Sequence, residues 1–80
     1  MILEFYAVKD ELSNRFLAPI LMNSEAEAKR QFKSQVNNIQ IWKDNPSDFS
    51  LYCLGSFNEE TGQLIGSPIK IVGGRSVLDE

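Results

Sequence analysis

The residues best suited to chemistry are cations near a ring. Lys29, Arg30 and Lys33 fall within five positions, and Trp42 and Lys43 follow closely. Ammonium and guanidinium groups pair with phosphates, and bases stack on an indole, so this set matches what single-stranded nucleic acid requires. The competing reading is a solvated helix face whose cations offset neighbouring acids, with Trp42 in the core. Other chemistries lack their parts. The chain has no His and one Cys, Cys53. That excludes a zinc-ligand pattern and any dyad or triad built on His. Cys53 lies mid-strand among apolar residues and reads as a small buried hydrophobe. Gly73-Gly74 precedes Arg75-Ser76 without the strand–glycine–helix context of a phosphate loop. The carboxylates are scattered, and Glu59-Glu60 reads as a solvated hairpin tip. We expect no catalysis, no metal and no cofactor.

These residues must be positioned by a small scaffold. The 80 residues carry 8 Lys+Arg against 11 Asp+Glu, a net charge of −3, with 42% apolar and 24% charged residues. Those proportions suit one small globular domain, neither disordered nor membrane-spanning. A net acidic chain is a poor general coat for DNA, because phosphate attraction needs a basic surface. One unpaired cysteine favours a reducing compartment. The N-terminus has no basic segment ahead of an apolar stretch, so no signal peptide is expected.

Residues 2–9 alternate as a strand, with Leu3, Phe5 and Ala7 on one face and Ile2, Tyr6 and Val8 on the other. Residues 10–15 form a polar turn in which Ser13-Asn14 tolerates tight backbone geometry. Residues 16–22 read as a second strand, on an edge or bulged, because Pro19 lacks a ladder donor. Residues 24–38 form the clearest helix. Ser24 and Glu27 fit a capping box, and Ala28, Phe32, Val36 and Ile39 make an apolar stripe. Residues 39–49 read as a loop that opens with a short strand or an extra helical turn. Residues 50–57 form a strand with Leu51, Cys53 and Phe57 on one face, Tyr52 and Leu54 on the other, and a bulge or close approach at Gly55. A hairpin at 58–62, closed by Gly62, returns through 63–65, and 68–72 supply a fifth candidate strand.

The order strand, strand, helix, strand, strand argues an α+β fold: a small, mostly antiparallel sheet of four or five strands with one helix packed on one face. Residues 1–72 form a single domain, and residues 73–80 a flexible C-terminal tail. One helix leaves one apolar sheet face uncovered. That face is resolved by a homo-oligomer, a dimer first of all, or by another partner. Phe5, Tyr6, Phe16, Phe32, Phe49, Tyr52 and Phe57 are mostly core by position, but any one becomes a stacking platform if its sheet face is open.

The run Pro46–Gly62 resembles the small nonstructural protein of gokushovirus-type microviruses, single-stranded-DNA phages of bacteria. Its proline, the acid–aromatic pair Asp48-Phe49, the apolar strand with Gly55 and the closing Thr61-Gly62 all have counterparts in that family. Upstream, Phe5–Asp10 resembles the opening strand, Phe16 with Pro19 the aromatic-to-proline segment, and Ala28, Phe32, Val36 and Asn37 the helix stripe. The resemblance implies a non-enzymatic role in genome replication or packaging in the host cytoplasm, with single-stranded DNA as partner. The expected contacts are Lys29, Arg30, Lys33, Trp42 and Lys43, and the expected behaviour is salt-sensitive binding. The alternative is a protein–protein adaptor for the viral capsid or the replication initiator, which the acidic balance favours.

Overall fold

The structure is a computed structural model and describes residues 2–79. Its frame is two long antiparallel strands, β1 (Ile2–Asp10) and β4 (Phe49–Asn58), paired over nine residues of β1. Both carry aromatic side chains, and β1 adds the β-branched Ile2 and Val8, residue types that suit a pleated, half-buried surface. On the free side of β1 lie β2 (Arg15–Phe16) and β3 (Ile20–Met22), and on the free side of β4 lie β5 (Leu64–Ile65) and β6 (Ile69–Gly73). All pairings are antiparallel. The α+β expectation holds, with six short and long strands in four columns. The strand expected over 16–22 is split into β2 and β3, because Pro19 and its neighbours leave the ladder.

Turn chemistry follows the side chains. Asp10 Oδ1 accepts from the amides of Leu12 and Ser13, and Asn14 takes φ 59°. Asn58 Oδ1 accepts from the amides of Glu60 and Thr61 at the second hairpin, where Gly62 sits at φ 77°.

Helix α1 (Glu25–Asn38) starts where Ser24 Oγ accepts from the Glu27 amide at 3.3 Å. Its buried stripe is Ala28, Phe32 and Val36, packed on Tyr6, Val8 and Leu51 of the sheet. Ile39 does not extend that stripe. It is the boundary between α1 and α2 (Gln40–Asp44) and is exposed, since its extended backbone breaks the helical period. The loop expected at 39–49 is therefore largely α2 and a 3-10 turn at Pro46–Asp48.

The C-terminal segment corrects another expectation. Gly74–Val77 form α3, and Val77 and Leu78 pack against the core. Asn37 clamps this segment: its Nδ2 donates to the Val77 carbonyl at 3.0 Å, and its Oδ1 accepts from the Asp79 amide at 2.7 Å. Gly74 fits because a Cβ there would lie 2.3 Å from the Pro46 carbonyl oxygen. The segment 74–79 is thus part of the domain and not a loose tail; Glu80 lies outside the described residues.

A bulge decides which side chains share a face. Phe5 pairs with Gly55 but Tyr6 pairs with Cys53, so Leu54 is the extra residue of β4. One inserted residue inverts the alternation beyond it. Leu51 and Cys53 face the helices, whereas Phe57 falls on the opposite face beside Phe5, their ring centroids 6.4 Å apart. The expectation that Leu51, Cys53 and Phe57 share a face fails for that reason. Gly55 is required where it stands. Its φ is +149°, and a Cβ would lie 2.4 Å from the Ile65 carbonyl oxygen and 2.8 Å from the Gly66 Cα.

Candidate nucleic-acid interface

The cations of α1 lie on an exposed helical face, but each has a carboxylate. Lys29 pairs with Glu25 at 3.1 Å, Arg30 with Glu27 at 3.5 Å, and Lys33 with Asp79 at 3.5 Å. Two of these partners are built in by i,i+3 and i,i+4 spacing. The face is close to electrically balanced and offers little net attraction to a phosphate chain. Lys43, on α2, is exposed. Trp42 points the other way. It is 8% exposed, stacks on Phe49 at 4.6 Å and 17°, and tilts against Phe32 at 6.4 Å. A stacking platform needs a free ring face, so Trp42 is a core pillar and is removed from the expected contact set. The structure brings Lys29, Arg30 and Lys33 together on one helix face, and among the described residues none of the three lies over an aromatic ring.

The uncovered face of the sheet carries what the helix face lacks. Odd-numbered positions of β1 point there, and the residues paired with them follow. At one end Phe16 and Tyr52 meet edge to face, centroids 5.1 Å apart at 86°. Lys9 Nζ lies 5.5 Å from the Phe16 ring centroid and 5.6 Å from that of Tyr52, close enough for cation–π attraction. Lys70 is the register partner of Tyr52 on β6. At the other end sit Phe5 and Phe57, beside a groove of about 350 Å³ lined by Phe5, Pro19, Leu54, Leu64, Ile65 and Gly66. Phe16 is 41% exposed, and Phe5, Tyr52 and Phe57 are half-buried. From Leu3 to Lys9 the face runs about 20 Å along β1.

One acid serves this surface. Glu11 leaves the end of β1, its amide donating to the Asp48 carbonyl at 2.7 Å. Its Oε1 lies 3.4 Å from Lys9 Nζ. Its Oε2 lies 3.9 Å from Lys70 Nζ and accepts from the Tyr52 hydroxyl at 3.5 Å. Partial desolvation pushes its pKa up, but hydrogen bonds from Ser50 and Lys9 and the two ammonium charges outweigh it, and the carboxyl sits below its ordinary value.

The helix side has its own polar knot. Glu4 accepts from the Tyr6 hydroxyl at 3.1 Å and from the Cys53 thiol at 3.4 Å. Burial, aided by the nearby carboxylate, raises both pKa values and favours the protonated phenol and thiol. Among the described residues no three metal-ligating side chains gather, and no helix is long and apolar enough to cross a membrane.

A family model described as Phage ORF5 protein matches residues 3–77. The chain belongs to the phage ORF5 protein family. The match includes α3, in agreement with its place in the folded domain. No curated protein and no solved structure matches this phage protein.

Lys9, Glu11, Phe16, Tyr52 and Lys70 escaped the sequence reading as a set. The readable signal was Lys9 and Glu11 at period two on a strand face that is otherwise apolar. What assembles the set is the pairing of β1 with β2 and of β4 with β6, which one chain's periodicity does not disclose.

Proposed function

We propose that this phage protein is a non-enzymatic nonstructural protein of the gokushovirus type. It binds single-stranded DNA on the open face of its sheet, in the cytoplasm of the bacterial host, during genome synthesis or packaging. The observation that carries the reading is the row Phe16, Tyr52, Phe5 and Phe57 on an uncovered sheet face, with Lys9 and Lys70 at one end. Rings stack on bases of any identity, and the two cations take phosphates. A net charge of −3 fits this local patch better than a general coat.

The test is a titration of labelled single-stranded oligonucleotide at two salt concentrations, with duplex as control. We expect saturable binding that weakens with salt and prefers the single strand. No binding at low salt, or equal binding to duplex, contradicts the reading.

A second reading, a protein–protein adaptor for the capsid or the replication initiator, draws on the far sheet edge. Leu64, Ile65 and Ile69 are 64%, 62% and 63% exposed there, and such an edge can accept another chain. In our account this edge joins two copies into a dimer, which leaves both open faces free and links two short DNA sites. Light scattering is expected to give twice the chain mass, and Ile69→Lys to give a monomer. A monomeric wild type contradicts the dimer.

A further inference from the structure

We propose that Glu11 occupies the seat of a DNA phosphate: its carboxylate stands where a backbone phosphodiester binds between Lys9, Lys70 and Tyr52, and DNA must displace it. The inference rests on the open-face reading and adds a named subsite and a gate to it.

The geometry is that of an anion site already filled. A single carboxylate lies within 3.4 Å of the Lys9 ammonium, 3.9 Å of the Lys70 ammonium and 3.5 Å of the Tyr52 hydroxyl. Four donors from three strands converge on it, the ammonium groups of Lys9 and Lys70 and the hydroxyls of Tyr52 and Ser50, and among the described residues no other carboxylate pairs with both lysines. A phosphodiester offers the same chemistry, two anionic oxygens on one centre. The two longer contacts are loose, and the Glu11 side chain is 30% exposed. Exchange is cheap only for an anion that takes over the hydrogen bond from the buried Ser50 hydroxyl, which a phosphodiester oxygen can accept. Glu11 also stands just past the end of β1, where its side chain can swing to solvent without breaking a ladder bond. Lys9 stays over the Phe16 and Tyr52 rings, so a phosphate in this seat places its base near Phe16, which is among the exposed large apolar residues.

Displacement has a measurable cost for the wild type. While Glu11 is in place, its charge cancels one of the two ammonium charges. With the carboxylate gone, the site neutralises one more phosphate. Each phosphate neutralised on a single strand adds about 0.7 to the slope of log affinity against log salt.

The test uses the full chain and a labelled single-stranded homothymidine oligonucleotide over a salt series. Glu11→Gln is expected to tighten binding by up to about fivefold at low salt, the upper end of what one freed ion pair contributes. It is also expected to steepen the salt slope by about 0.7. The control is Glu59→Gln at the hairpin beyond β4, about 30 Å along the strands from Glu11, which removes the same charge elsewhere and leaves affinity within about twofold. Lys70→Ala alone weakens wild-type binding, and it shrinks the gain from Glu11→Gln, because both act on one seat. It also serves if Glu11→Gln lowers the thermal midpoint. Three results overturn the proposal. If the wild type binds and Tyr52→Ala loses binding, but Glu11→Gln matches Glu59→Gln, the open face stands and the seat is wrong. If neither wild type nor Glu11→Gln binds, both fall. If inorganic phosphate at matched ionic strength binds Glu11→Gln more tightly than wild type but does not displace DNA from either, the occupant is a free phosphate and the assignment to the DNA backbone fails.

Discussion

The exposed face of α1 and the open face of the sheet both carry lysines, yet they differ in what those lysines can do. On α1, Lys29, Arg30 and Lys33 have three carboxylates between them, one each. On the sheet, Lys9 and Lys70 share one, and two aromatic rings lie under Lys9. A count of cations favours the helix, but a count of cations without a full partner favours the sheet. The rings divide the same way: Trp42 is spent on the core, while Phe16 and Tyr52 stand at the surface.

The largest expected effect tests that division of aromatics. Trp42→Ala removes a ring stacked between buried neighbours and is expected to cost about 3–5 kcal/mol of folding stability. In a small domain that is a large share of the total, and urea titration will read it. A stable Trp42→Ala protein that has lost only DNA binding would reverse the comparison.

Next in size is Tyr52→Ala. Loss of one stacking base is expected to weaken single-stranded DNA binding by about 1–3 kcal/mol, read by fluorescence anisotropy, while the far-ultraviolet circular dichroism stays unchanged. Unaltered affinity would place the DNA elsewhere.

A smaller effect concerns acid. The Glu11 carboxyl titrates below its ordinary value when folded, so its contribution to stability is present above the unfolded pKa and is lost as pH falls through the folded one. Below about pH 4, the ordinary carboxylate range, wild type should lose more of its stability advantage over Glu11→Gln than it loses between pH 7 and pH 5. Parallel stability curves for the two proteins would show that Lys9 and Lys70 do not hold this carboxyl.

The smallest effect belongs to the helix. Lys29→Gln combined with Lys33→Gln removes charges that are already balanced, and DNA affinity should change by less than about twofold. A loss as large as that of Tyr52→Ala would return the interface to α1.

Much of the scaffold is legible in the sequence. The alternation in Leu3–Val8 gives β1, the Ser24 cap and the Ala28, Phe32, Val36 spacing give α1, and Asn58 with Gly62 gives the hairpin. These are local signals, and local periodicity carries them. What stayed hidden depends on contacts distant in the chain. The parity of Phe57 depends on a bulge that only the register with β1 reveals. The inward aim of Trp42 depends on the short helix α2, whose five residues carry no stripe of their own. The order in Gly74–Val77 depends on Asn37, some forty residues away (|i−j| of 40 for the Val77 bond). The interface is hidden for the same reason: Lys9, Glu11, Phe16, Tyr52 and Lys70 come from five places and meet only in the folded sheet.

The most direct test of the open face is amide and side-chain chemical-shift mapping by nuclear magnetic resonance. Single-stranded oligonucleotide is added at low salt to labelled protein. Our account predicts saturable shifts at Lys9, Phe16, Tyr52, Phe57 and Lys70, with Lys29–Lys33 unmoved. Shifts confined to α1, or none that saturate, would contradict it.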